Sequence, residues 1–184
     1  MANLTFNGQR ILFPGGGILD FTSGPPVETY TNWYLPSQNE LDAMRTNLYD
    51  ESVGGFTGAG YWSSHQQNAG TGYFYIDFST GVAQVNAGFI SHRLRAARTI
   101  TYVAGVYNLR DVGPGGGLIF YVDGATYYEA SAADLSASEE GSSPFNIDIG
   151  TTSPNIGEGK NNTDLWVAAA FTNSAGDTCY EYSV

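Results

Sequence analysis

The chain has 184 residues, 42% apolar and 14% aromatic, with 18 acidic and 7 basic side chains and a net charge of −11. The length suits one ordinary domain, or two very small ones. The 13 Tyr, 10 Phe and 3 Trp exclude a disordered low-complexity chain despite 24 Gly. The acidic balance disfavours nucleic acid, anionic membranes and sulfated or phosphorylated polymers as partners, and the single cysteine, Cys179, excludes an intrachain disulfide or a site of several thiolates.

Met1–Arg10 has no basic-then-apolar signal, and no apolar run approaches the ~18–20 residues of a membrane span. Synthesis in a cytoplasm without membrane insertion is the expectation. Leu4–Asn7 and Gln9–Phe13 read as an opening hairpin or arm, broken at Pro14-Gly15-Gly16-Gly17 and resumed at Ile18–Phe21. Gly24-Pro25-Pro26 marks a linker or sharp turn, which divides an arm, residues 1–26, from a single domain, residues 27–184.

Ser37 and Glu40 form a Ser-x-x-Glu capping box, and Leu41, Met44 and Leu48 recur on one helical face, predicting a helix from Ser37 to about Asp50. Tyr61–Ser64 follows. Gly72–Phe78 then alternates Tyr73, Tyr75 and Asp77 with Phe74, Ile76 and Phe78, the period of a strand, and Val82–Phe89 is its hairpin partner across Ser79-Thr80-Gly81. Ser91–Val103 reads as one further extended run, and Leu118–Val122 and Thr126–Ala130 as strands flanking an Asp123-Gly124 turn. Residues 131–159 read as irregular with at most one helical turn. A second helix is predicted over Thr163–Thr172, capped by Asn162 or Thr163, with Leu165, Ala168 and Ala169 inward; Gly176 is a stop, and Cys179–Val184 a terminal strand.

Motifs for chemistry are sparse. Gly113–Gly117 lacks the Lys and Ser/Thr of a phosphate loop and reads as a turn. Ser63, Ser64 and His65 are adjacent but lie in no nucleophile elbow. Asp134, Glu139, Glu140, Asp148 and Glu158 offer oxygen ligands for a weak calcium site at most, so no cofactor is expected. Arg93, Arg95 and Arg98 concentrate three of seven basic residues. They imply either internal ion pairs, for example with Glu40 or Asp42, or an anion contact. Tyr30, Trp33, Tyr34, Tyr61, Trp62, Tyr73 and Tyr75 are suited either to a core or to stacking on sugar rings.

Three motifs occur in one order: Thr31-Asn32-Trp33-Tyr34-Leu35-Pro36-Ser37-Gln38-Asn39-Glu40-Leu41, Tyr61-Trp62-Ser63-Ser64 and Leu94-Arg95-Ala96-Ala97-Arg98. Together they resemble the signatures of the Lcl C-terminal domain family, found on bacterial adhesins, lipoproteins and phage virion proteins. Asp111–Asp123, Glu129–Ser136 and Ile156–Thr163 are similar to further segments of that family, but in relatives they precede the tryptophan motif. The resemblance implies an α+β fold, β-rich and C-type-lectin-like (the formylglycine-generating-enzyme-like class), with two short helices. Its two halves, residues 27–103 and 111–184, stand in permuted order, either within one chain or completed between subunits.

The resemblance implies recognition more than catalysis. The leading expectation is a non-enzymatic phage virion structural protein, a head or tail fibre or decoration subunit. It would be a homo-oligomer, dimer or trimer, anchored to other virion proteins by its arm and presenting Tyr61, His65, Tyr73, Tyr75 and Arg93 to a host surface glycan. The alternative is a bacterial carbohydrate-binding adhesin module. An enzyme of the formylglycine-generating type would need a reactive thiol, for which only Cys179 exists.

Overall fold

The computed structural model describes residues 5–6, 9–10, 29–67, 72–102, 104–142, 147–150, 152–169 and 174–184. The strands are β1 (Thr5–Phe6), β2 (Gln9–Arg10), β3 (Gly60–Gln66), β4 (Tyr73–Asp77), β5 (Val82–Asn86), β6 (Ser91–Leu94), β7 (Ala97–Thr101), β8 (Leu118–Asp123), β9 (Thr126–Ala130) and β10 (Ser136–Glu140). The helices are α1 (Gln38–Met44), α2 (Gly159–Ala168) and α3 (Ala175–Tyr180), and α1 runs on into a π-helical turn, Arg45–Tyr49. β1 and β2 pair antiparallel, as the opening hairpin predicts; the breaks and strand expected over residues 14–26 lie outside the described residues.

Two sheets build an α+β body: a five-stranded sheet ordered β10-β6-β3-β4-β5 and a three-stranded sheet ordered β7-β9-β8. Strand β3 pairs antiparallel with β4 and parallel with β6, through Tyr61 and Arg93. The predicted hairpins form, β4–β5 around Gly81 at φ 73° and β8–β9 around Gly124 at φ 59°. Both glycines occupy the left-handed region that side chains disfavour.

Residues 30–100 and 111–184 pack together within a single chain, in two apolar clusters. Trp33, Leu35, Trp62, Tyr73 and Leu94 from the first pack against Trp166, Ala175 and Cys179 from the second. On the other side of the large sheet, Leu41, Met44, Tyr61, Ile76 and Phe78 pack against Phe120, Tyr128 and Ala130. The first part supplies β7 and the second supplies β8 and β9 of the small sheet, while β10 from the second part extends the large one. The backbone also pairs at its far ends: Tyr30 N donates to Val184 O at 2.6 Å, and Val184 N to Tyr30 O at 3.2 Å.

Several local expectations differ. The extended run Ser91–Val103 is two strands in two sheets, because Arg95 and Ala96 turn inward at the junction and Tyr34 bridges Ala97. Residues 131–159 hold β10, whose polar Ser-Ala-Ser-Glu-Glu sequence gives no strand signal and is paired only by tertiary contact with β6. Helix α2 starts at Gly159 and ends at Ala168, and its buried residues are Gly159, Asn162, Thr163 and Trp166; Leu165 is only half-buried and Ala168 is exposed. Asn162 and Thr163 do not cap it. Thr163 Oγ1 bonds Gly159 O at 2.8 Å and Leu35 O at 3.2 Å, tying the helix to the Trp33 segment.

Gly176 does not stop a helix but lies within α3, a third helix where a terminal strand was expected. A Cβ there would sit 2.8 Å from Trp166 Cβ, so glycine permits α3 to close on α2. Among the described residues, no helix is long and apolar enough to cross a membrane.

Candidate functional site

The ionisable residues sort first into buried structural knots. Asp134 receives Arg93 Nη1 at 3.0 Å, Arg95 Nη2 at 2.8 Å and the Tyr61 hydroxyl at 3.1 Å. Arg95 is fully buried, with its guanidinium 3.9 Å over the Phe56 ring. Glu129, also fully buried, stands 3.0 Å from Arg98 Nε and accepts the N–H of Gly115 at 3.2 Å and of Gly117 at 2.9 Å. A Cβ on Gly113 would lie 2.4 Å from the Glu129 carboxyl carbon, so the glycine-rich segment is shaped to wrap a carboxylate. The arginines are thus paired internally, as one reading expected, but with Asp134 and Glu129 rather than Glu40 or Asp42.

Glu40 is committed as well. In the capping box its Oε2 accepts Ser37 N at 2.7 Å, while Oε1 accepts Gly157 N at 2.9 Å, so the cap of α1 also fastens the loop before α2. Burial raises its pKa against the lowering effect of these hydrogen bonds.

A different arrangement lies on one face of the large sheet. Register places Trp62, Tyr75 and Gln84 side by side across β3, β4 and β5. The His92 ring, reaching from β6, stacks on Tyr75 at 3.9 Å and 19° and meets Trp62 edge-on at 4.5 Å. Gly60 makes this possible. A Cβ there would sit 2.5 Å from His92 Nδ1 and 2.9 Å from Tyr75 Cδ2.

Hydrogen bonds fix the groups around the stack. The Tyr75 hydroxyl donates to Gln84 Oε1 at 3.0 Å, and Asn86 Nδ2 lies 2.9 Å from His92 Nε2. With the amide donating, that nitrogen is bare and the imidazole neutral. Burial pushes its pKa down to about 4, opposed by Asp77. The result is a ledge of two half-buried rings, Tyr75 and His92, backed by the buried Trp62 and edged by an exposed amide, Gln84, at the open edge strand.

The five residues named from sequence do not converge. Tyr61 and Tyr73 are fully buried and are removed from any ligand surface. Tyr61 joins the Asp134 knot, while the Tyr73 ring packs on Trp166 at 4.5 Å and its hydroxyl donates to Ile147 O at 3.1 Å. Arg93 is partly exposed but shares Asp134 with Tyr61. His65 stacks on Phe74 at 4.7 Å and 8°, with Nδ1 3.0 Å from Thr152 Oγ1, and burial lowers its pKa. Tyr75 alone belongs to the ledge. Trp33 and Trp62 are core residues.

His92, Gln84, Asn86 and Gly60, the other members of the ledge, belong to no motif in the sequence. The β4–β5 hairpin is the signal for two of them: once Tyr75 is opposite Gln84, period two puts Asn86 on the same face.

The residues suited to chemistry have packing roles. Ser63 Oγ donates to Phe74 O at 2.9 Å, and Ser64 Oγ accepts Asn162 Nδ2 at 3.1 Å. Cys179 is fully buried, and burial pushes its thiol far up, away from a reactive thiolate. Of the acidic residues considered for calcium, Asp134 is spent on arginines and Glu158 Oε2 accepts Asn161 Nδ2 at 3.0 Å. Among the described residues, no group of three or more His, Cys, Asp or Glu is placed to hold a metal ion. Compared with known proteins, the chain matches no family model, no curated protein and no solved structure.

Proposed function

We propose that this protein is a circularly permuted, C-type-lectin-like recognition domain carried as a non-enzymatic structural subunit of a phage particle, and that it meets host-surface glycans through the Tyr75–His92 ledge. The observation that carries the permuted fold is the backbone pairing of Tyr30 with Val184. In the motif order of the resembling family, the half ending here at Val184 leads into the half beginning near Tyr30. Those two positions are hydrogen-bonded neighbours, so a short link would restore that order with little movement. The connection before Asp111, exposed at residues 104–106 and 108–110, then stands where the chain of a relative would begin and end.

Recognition is favoured over catalysis by how the charges are used. The Asp134, Glu129 and Glu40 carboxylates are engaged in holding the fold, and the ledge offers rings and amides, the groups that stack on sugar faces and bond their hydroxyls. The acidic, Gly- and Tyr-rich composition with a single Lys suits an exposed particle surface. Homo-oligomerisation and anchoring through residues 1–26 belong to the same proposal.

Two experiments test it. Mass spectrometry of purified particles detects the chain if the display reading is right; its absence from particles refutes that reading. A glycan array probed with the full chain gives binding that Tyr75→Ala abolishes. Binding unchanged in Tyr75→Ala refutes the ledge, and binding with no particle association favours the adhesin alternative.

A further inference from the structure

Away from the ledge, the end of α1 forms a cavity. After the π-turn, Asp50 N donates to Arg45 O at 2.9 Å and Val53 N to Leu48 O at 3.0 Å. Ser52, Gly54 and Gly55 then take left-handed φ values of 60°, 78° and 66°, curling the backbone back on itself. The hollow of about 450 Å³ is lined by Tyr49, Asp50, Ser52, Val53, Gly55 and Phe56. That size falls in the range of roughly 300–1,000 Å³ typical of small-ligand sites.

Its walls are set before any ligand arrives. Tyr49 packs on Phe78 at 5.5 Å, and Phe56 is held by Phe78 at 5.5 Å, Tyr61 at 5.8 Å and the Arg95 guanidinium at 3.9 Å. At Gly55 an added Cβ would meet nothing within 4 Å, so the mouth is open there.

Its chemistry selects a class of ligand. The lining is apolar at Val53 and Phe56 and polar at Asp50, Ser52 and Tyr49. Arg45 Nη2 stands 3.3 Å from Asp50 Oδ2, so a cation is already at hand for the carboxylate, whose other lone pairs remain acceptors. Such a lining suits a neutral molecule with several hydroxyls and one apolar face, and gives no preference to a cation.

We propose that this cavity is a second subsite, for a neutral sugar residue, with hydroxyls donated to Asp50 and shared with Ser52 and Tyr49, and an apolar face laid against Val53 and the edge of Phe56. The proposal rests on the glycan-recognition reading for its ligand class and adds a second place on the molecule.

The test is a titration of the ¹⁵N-labelled full chain with methyl glycosides of glucose, galactose, mannose and N-acetylglucosamine, one at a time, to tens of millimolar. The expected result is saturable shifts at the amides of residues 49–56 for at least one glycoside. Asp50→Asn, which keeps the side chain's size and removes the acceptor charge together with a half-exposed ion pair to Arg45, should weaken that binding about ten-fold. Ser52→Gly, which keeps the left-handed turn, should weaken it several-fold. Shifts confined to the Tyr75–His92 region overturn the cavity proposal and leave the ledge standing. No saturable shift anywhere overturns the cavity proposal and the sugar reading of the ledge together. Saturable shifts at residues 49–56 that neither variant weakens overturn the assigned contacts.

Discussion

Replacing Glu129 by glutamine isolates the role of the buried carboxylate at constant shape. One oxygen takes the Gly117 N–H at 2.9 Å; the other takes the Gly115 N–H at 3.2 Å and stands 3.0 Å from Arg98 Nε. In the amide, one of those oxygens becomes an NH₂ that faces a donor, and Arg98, only 5% exposed, loses its counter-charge. An orphaned buried donor costs about 1–3 kcal/mol, and breaking a buried ion pair about 3–5 kcal/mol. The expected loss is about 3–5 kcal/mol, against a total stability of roughly 5–15 kcal/mol for a domain. It should lower Tm by roughly 6–20 °C, at about 2–4 °C per kcal/mol for a chain of this size.

Urea unfolding followed by tryptophan fluorescence reads this as a lower midpoint at unchanged m. The sign of a second substitution is more diagnostic. Glu129→Leu leaves Arg98 buried and unpaired, so adding Arg98→Met should restore part of the lost stability. A Glu129→Gln loss under about 1 kcal/mol, or an Arg98→Met cost that is the same with and without Glu129, would refute the argument.

Three further outcomes follow from the same structure. His92 has a folded pKa of about 4, below its ordinary 6.5, so the unfolded chain binds the extra proton between those values. The stability from this residue is complete above about pH 6.5 and is lost as pH falls through about 4; His92→Phe should flatten that slope in pH-dependent urea midpoints. Gly176→Ala should destabilise by about 1–3 kcal/mol despite alanine's helix preference, because the new Cβ would stand 2.8 Å from Trp166 Cβ; thermal unfolding of the variant measures this. The Cys179 thiol, buried and with its pKa raised, should resist a thiol reagent in native buffer and react fully in denaturant, which a colorimetric thiol assay reads directly.

Legibility from the sequence followed how local each signal was. The capping box at Ser37 and Glu40 and the Asp123-Gly124 turn are written in four to six consecutive residues, and both formed where expected. Strand β10 carries no apolar alternation and exists because β6 offers it an edge. Trp166, not Ala168, faces inward on α2, because Trp33 and Tyr73 from the distant half form the wall that it fills. The carboxylate-wrapping role of Gly113–Gly117 was hidden for the same reason, since Glu129 is a partner that only the β8–β9 hairpin brings near. At the ledge, Tyr75 was readable as a surface candidate, but Tyr61 and Tyr73 have the same residue type and neighbourhood. A β-bulge between Trp62 and Gln66 shifts the register, and burial on both faces of the sheet removes both rings from solvent.

A rejoined chain examines the permuted closure most directly: Val184 linked to Tyr30 by a short flexible segment, and the connection opened at Gly105, where an added side chain would touch nothing within 4 Å. Permuted closure predicts a monomer that unfolds in one transition, with amide resonances of β3–β10 superimposing on those of the natural order apart from the two junctions. A rejoined chain that stays unfolded, or that recovers structure only on dimerising, would contradict it.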